Sequence, residues 1–185
     1  YSYVAQRDTI GHGTLLASIS AGSYVNGYVG VAPKSELLVV KLKESKQYLK
    51  DFFLIKDDVP AFEEGDILLA MRFLADYAVR LGKPLIIIFG LGSANGSRTG
   101  AAPLAEMMES LTKRPNISVI TCMGNEANNK CHYKGTVTSA LVPDVMEVNV
   151  DGTGKGFTME IWAESLDILS VSIESPSGEF VPRIP

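Results

Sequence analysis

The feature that most restricts this chain is a pair of short strand-like runs, the apolar Leu85 to Phe89 and Ile117 to Cys122, each preceded by a longer stretch of helical period. In Gly65 to Leu81 the residues Ile67, Ala70, Met71 and Leu74 fall on one side, and Gly82 follows where a helix C′ glycine belongs. Pro84 opens the first run, and the amphipathic segment Ala101 to Thr112 precedes the second. A third run, Leu37 to Leu42, lacks strict alternation and predicts a strand buried on both faces. Strands alternating with helices at this spacing predict an α/β fold, a parallel sheet joined by right-handed crossovers with helices on both faces.

Ahead of that alternation, Leu15, Leu16 and Ile19 share a face and predict a helix over Thr14 to Ala21, opened by the glycine-flanked His12. Gly22 to Gly30 is turn-rich. Lys43 to Glu64 has no clear period and is expected to leave the core as an irregular excursion, with Tyr48, Phe52 and Phe53 clamping it to the body. Behind the alternation the pattern changes. Met146 to Val150, Phe157 to Ala163 and Ile168 to Ile173 alternate apolar with polar residues, as one-sided antiparallel strands do, and Asp151-Gly152-Thr153-Gly154 reads as a turn between them. The chain therefore divides into residues 1–138, an α/β segment, and residues 139–185, a β-rich unit. Three runs are too few for a sandwich of about seven strands. The second unit is thus expected to be only the opening strands of one, cut short at Pro185. A start at Tyr1, with neither Met nor signal-like stretch, reads as mid-domain, with any targeting information upstream.

Composition removes several classes of function. With 17 basic against 21 acidic residues in 185, a formal charge of −4, there is no excess to attract nucleic acid or an anionic membrane. The longest apolar run falls far short of the roughly 18 residues a membrane span requires. Cys122 and Cys131 form no CxxC pair and no disulfide framework, and Cys122 is expected to be a buried thiol in its strand. No acidic cluster offers the oxygens a calcium site needs, Asp57 and Asp58 being followed by Val59 and Pro60, and His132 has no ligand companions at metal spacing. No metal or cofactor is expected. A dinucleotide binder is excluded as well, since Gly90-Leu91-Gly92-Ser93-Ala94-Asn95 lacks the third glycine of that fingerprint.

Two elements carry chemistry. His12 stands in Gly11-His12-Gly13-Thr14, where small neighbours leave the imidazole accessible on a rigid helix entrance, and imidazole suits general-base work at neutral pH. Ile117 to Cys122 runs into Met123-Gly124-Asn125-Glu126. Polar residues just beyond the carboxyl ends of parallel strands are where catalytic groups collect. A carboxamide such as that of Asn125 can donate to an oxyanion, and loss of such a donor costs about two to three orders of magnitude in turnover.

Gly11-His12-Gly13-Thr14, then Gly30-Val31-Ala32-Pro33-Lys34 leading into Leu37-Leu38-Val39-Val40-Lys41, then Gly90-Leu91-Gly92 and Gly124-Asn125-Glu126, occur in the order and rough spacing of the subtilisin-like serine proteases, which residues 8–136 resemble. The first two blocks together are the specific ones. The resemblance implies an endopeptidase in which His12 is the general base of a Ser-His-Asp triad and Asn125 the side-chain donor of the oxyanion hole. It also implies that Gly90, Leu91, Gly92 and Ser93 form the edge that pairs with an extended peptide, with Ser93 to Gly100 bordering the cleft. The excursion and the β unit after Asn125 resemble the clostridial subtilases that include spore-germination proteases, in which a jelly-roll domain interrupts the protease. That likeness implies a secreted or spore-associated protein, a peptide or protein substrate, and a propeptide from the same precursor as a partner.

The chain departs from the family pattern in its triad. The aspartate belongs in an Asp-Ser/Thr-Gly motif tens of residues before the histidine, and Asp8, four residues before it, is expected instead to cap the helix entrance. The serine belongs in Gly-Thr-Ser-x-Ala. Gly135-Thr136-Val137-Thr138-Ser139-Ala140 has Val137 at that place, so Ser139 is read as part of a linker. Leu15 and Ser18 replace the usual His and Gly at packing positions. The 185 residues alone are expected to be inactive, and the alternative is a pseudoprotease that binds peptide without cleaving it.

Overall fold

The computed structural model describes residues 5–150, 152 and 156–184. Its elements run α1 (His12–Ala21), α2 (Gln47–Phe52), α3 (Glu64–Leu81), β1 (Leu85–Phe89), α4 (Pro103–Thr112), β2 (Ile117–Thr121), β3 (Val171–Glu174) and β4 (Phe180–Ile184). The architecture is mixed α/β. β1 and β2 form a two-stranded parallel sheet, Leu85 beside Ile117 and Phe89 beside Thr121, and a parallel pair needs a crossover, which α4 supplies. α3 and α4 pack against each other and against this sheet.

Periodicity explains the core. Ile67, Met71 and Ala75 recur at every fourth residue of α3 and meet Ile87 of β1, Leu111 of α4 and Ile117 of β2. α3 ends because Gly82 adopts φ 63°, which lets the Gly82 and Lys83 amides reach the carbonyls of Val79 (3.1 Å) and Ala78 (3.2 Å). Pro103 opens α4 where its missing N–H is no loss, and the next amide, Leu104, donates to Glu64 Oε1 at 3.0 Å, so the start of α3 caps the start of α4. The layer of α3 and α4 covers one face of the sheet, reaching Ile87. Ile86, Ile88 and Ile120 on alternate positions are exposed, Ile86 by 63%.

The Gly30-Val31-Ala32 block serves as a cap. Its three amides donate to Gly22, Ile19 and Ser20 carbonyls at 2.9, 3.0 and 2.8 Å, satisfying the end of α1. A Cβ at Gly30 would collide with the Gly22 amide and the Ser18 carbonyl, so only glycine allows this approach. The following run, expected as a buried strand over Leu37 to Leu42, instead lies outside any strand, with Val39 72% exposed. A strand exists only by hydrogen-bonding to a neighbour, and among the described residues no strand pairs with this one.

The excursion carries α2, and Tyr48, Phe52 and Phe53 do not clamp it, being exposed. Lys50 does. Its side chain is buried, the residue only 4% exposed, with Nζ donating to Glu44 Oε1 (2.5 Å), Val59 O (3.0 Å) and Asp57 O (3.3 Å). A buried ammonium is tolerated when paired and hydrogen-bonded in this way. Phe62, across the bridge to Glu44, packs on the core.

In the C-terminal part β3 and β4 form a separate antiparallel pair around a turn with Gly178 at φ 86°. Of the three alternating runs expected there, only the last contributes to a strand. Residues 146–150 and 157–163 form no strand and are exposed, again for want of a neighbouring strand among the described residues. The turn expected at 151–154 lies outside the described residues, Gly152 excepted.

Candidate functional site

His12 is the first residue of α1, and its ring reaches the end of β1. Nε2 lies 2.9 Å from Gly90 O, across 78 residues of sequence. A carbonyl oxygen only accepts, so Nε2 carries the hydrogen in this contact. A Cβ at Gly90 would meet Leu16 Cδ1, the end of a flexible side chain that would have to turn aside, and would lie 3.6 Å from His12 Nε2, an ordinary contact.

The helix entrance is fixed by Asp8. Its Oδ1 accepts from the Ile10 (3.0 Å) and Gly11 (2.8 Å) amides, and its Oδ2 from the Thr14 amide (2.9 Å) and hydroxyl (2.7 Å). Gly11, at φ 87°, makes the reversal that brings Asp8 under the first turn. The cap expected of Asp8 is present. These bonds, the Thr14 hydroxyl foremost, hold the Asp8 carboxyl well below the ordinary aspartate range. A lowered pKa means stability that is complete above about pH 4, the unfolded value, and is lost as pH falls below it. Asp8→Ala is therefore expected to lower the thermal midpoint at pH 7, and the gap from the unaltered chain to close progressively below pH 4. Melts followed by circular dichroism at pH 7, 4 and 2.5 check this.

Gly90, Leu91, Gly92 and Ser93 leave the carboxyl end of β1, where Ser93 Oγ accepts the Asn95 amide at 3.1 Å. Asn125 leaves the same end of the neighbouring strand. The Cys122 amide donates to Phe89 O (3.3 Å), after which Gly124, at φ 78°, turns the chain and the Asn125 amide donates to Glu126 Oε2 (3.0 Å). The Asn125 residue is exposed and its carboxamide bonds to none of the described residues. The topology thus gathers His12, Gly90 to Ser93 and Asn125 at one end of the sheet, with direct contact between His12 and Gly90.

Other residues fall elsewhere. Cys122 lies just past β2 and is exposed, not buried, because β2 closes at Thr121. Ser139 belongs to a turn, its Oγ accepting the Leu141 amide at 3.2 Å. His132 is exposed. A contact without any signal in the sequence is that of Glu160, whose carboxylate accepts the Gly96 amide at 2.7 Å.

Among solved structures the chain is similar to the Clostridium perfringens CspB protease, at 26% identity and a TM-score of 0.58 over 69% of this chain. The match takes in 25% of that protein, so the present residues span about a quarter of its length. No protein-family profile and no curated protein sequence matches the chain. Over that 69% the chain is thus similar to part of a protease.

Proposed function

We propose that residues 1–138 are a segment of the catalytic domain of a subtilisin-type serine endopeptidase and that residues 139–185 open a jelly-roll-like insertion. In this reading a serine supplied by the longer polypeptide attacks the peptide carbonyl, His12 takes its proton and returns it to the leaving amine, and Asn125 donates to the tetrahedral oxyanion. Gly90 to Ser93 pair with the extended substrate as an added strand. The observation that carries the reading is the His12 ring on Gly90 O at 2.9 Å, which sets a base beside the strand end that would hold substrate. The protease neighbour, similar over most of this chain, supports it.

In this reading the 185 residues alone are inactive because they carry neither the triad aspartate nor the serine, and the same contact further disfavours His12 as a base. To accept a proton from serine, Nε2 must be bare and Nδ1 protonated, the tautomer that a triad carboxylate enforces. With Nε2–H donated to Gly90 O the ring is in the opposite tautomer, and the base is released only when an acceptor engages Nδ1. The test is fluorophosphonate labelling of the longer polypeptide, with mass spectrometry to find the modified residue. Label on a serine outside residues 1–185, lost in His12→Ala, is the expected result. A folded, mature protein that takes no label overturns the enzyme reading and leaves a peptide-binding pseudoprotease.

A further inference from the structure

The chain has a single tryptophan, Trp162, whose Nε1 donates to Glu160 Oε2 at 3.0 Å. The same oxygen accepts the Gly96 amide at 2.7 Å, a contact across 64 residues. Gly96 sits in the loop that continues from Gly90 to Ser93. Within that loop the hydrogen bonds are short-range: the Asn95 amide to Ser93 Oγ (3.1 Å), Arg98 Nη2 to Ala94 O (2.9 Å) and the Thr99 amide to Ser97 Oγ (3.2 Å). Among the described residues the Glu160 bond is the one hydrogen bond that ties residues 93–100 to a segment outside the loop. Gly96 itself is at φ 94°, a conformation that a glycine leaves readily unless something holds it.

We propose that Glu160 is a positioning residue for the peptide-binding edge: from the C-terminal unit it fixes the loop beyond Ser93 in the shape that an extended peptide meets. The inference rests on the reading of Gly90 to Ser93 as that edge. An edge ordered before binding spares the peptide the cost of ordering it, and an edge ordered only part of the time weakens apparent affinity by that fraction. The chemistry of the contact suits the task, because a carboxylate accepts a backbone amide more strongly than a neutral group does. Glu160 is held ionised, its pKa lowered first by the Gly96 amide and then by the Trp162 indole. Trp162 makes the contact visible, since the indole shares its acceptor and is the only such fluorophore.

The experiment compares the 185-residue chain with its Glu160→Ala and Glu160→Gln variants, using an N-acetylated, C-terminally amidated alanine-valine hexapeptide as the probe. Three quantities are read: hydrogen exchange at the Gly96 amide, the peptide Kd followed by Trp162 emission, and the thermal midpoint. In Glu160→Ala, exchange at Gly96 is expected to rise about tenfold and Kd about five- to tenfold, as for an edge ordered a tenth to a fifth of the time, with the midpoint unmoved. Glu160→Gln keeps an acceptor oxygen and is expected to restore most of both. Exchange and Kd that ignore Glu160→Ala overturn the role, as does a Kd that weakens only in step with the thermal midpoint. Failure of the unaltered chain to bind the peptide overturns the edge reading and this role together, whereas binding indifferent to Glu160 overturns this role alone.

Discussion

On the mechanism proposed above, replacing His12 by alanine is expected to lower kcat of the longer polypeptide by on the order of 10⁴- to 10⁶-fold while KM for a peptide substrate stays within about twofold. The size follows from the role. Without an acceptor for its proton, a serine hydroxyl is a poor nucleophile, and the amine it must expel lacks its proton donor, so both halves of the reaction fail at once. What survives is whatever Asn125 and the peptide edge contribute without the base. KM is spared because the imidazole acts in the proton transfers of the reacting complex and does not hold the peptide in the ground state. The fold is spared as well, since His12 is exposed and its hydrogen bond, to Gly90 O, leaves α1 capped by Asp8 when it goes. Steady-state kinetics of both proteins at matched thermal midpoints check the prediction. A loss below tenfold would remove His12 from the chemistry.

The parts of the molecule legible in the sequence are those whose cause is local. Gly65 to Leu81 became Glu64–Leu81 and Ala101 to Thr112 became Pro103–Thr112, because helical spacing and a C′ glycine or an N1 proline act within a few residues. β1 came out at Leu85–Phe89 as read, since its five apolar residues lie between Pro84 and Gly90. Asp8 was legible from its spacing to the helix entrance. Leu37 to Leu42 and the runs at 146–150 and 157–163 have strand-like sequences yet form no strand, because strand formation is decided by a partner elsewhere in the chain, which residue type alone does not supply. The aromatic residues of the excursion drew attention while a lysine made the anchor, an outcome that depends on Glu44 and two carbonyls converging on Lys50. At the site, the sequence named His12, Gly90 and Asn125 separately, and the structure adds the His12–Gly90 contact. The Glu160–Gly96 bond had no local cause to betray it.

Leu111→Ala is expected to destabilise the chain by about 2–5 kcal/mol, the largest effect on folding of any change considered for this chain. Leu111 is 1% exposed and is the largest fully buried side chain among the described residues. It sits on α4 in one buried cluster with Ile67, Met71 and Ala75 of α3 and Ile87 and Ile117 of the sheet. Truncation removes the transfer free energy of the Cγ methine and its two methyls, and it leaves a cavity in a cluster of only six buried residues, which close-packed neighbours fill only in part. For a chain of this length a loss of about 3 kcal/mol lowers the thermal midpoint by roughly 6–12 °C. The internal control is Ile86→Ala on the adjacent position of β1. Ile86 is an equally apolar residue, but its side chain points to the uncovered face and is 63% exposed, so the cost there is expected to stay within about 0.5 kcal/mol. Urea denaturation of both variants, read by circular dichroism, separates the two cases: equal midpoints would mean that α3 and α4 do not cover the face of the sheet that carries Ile87, and the placement of His12 over the end of β1 would lose its foundation with them.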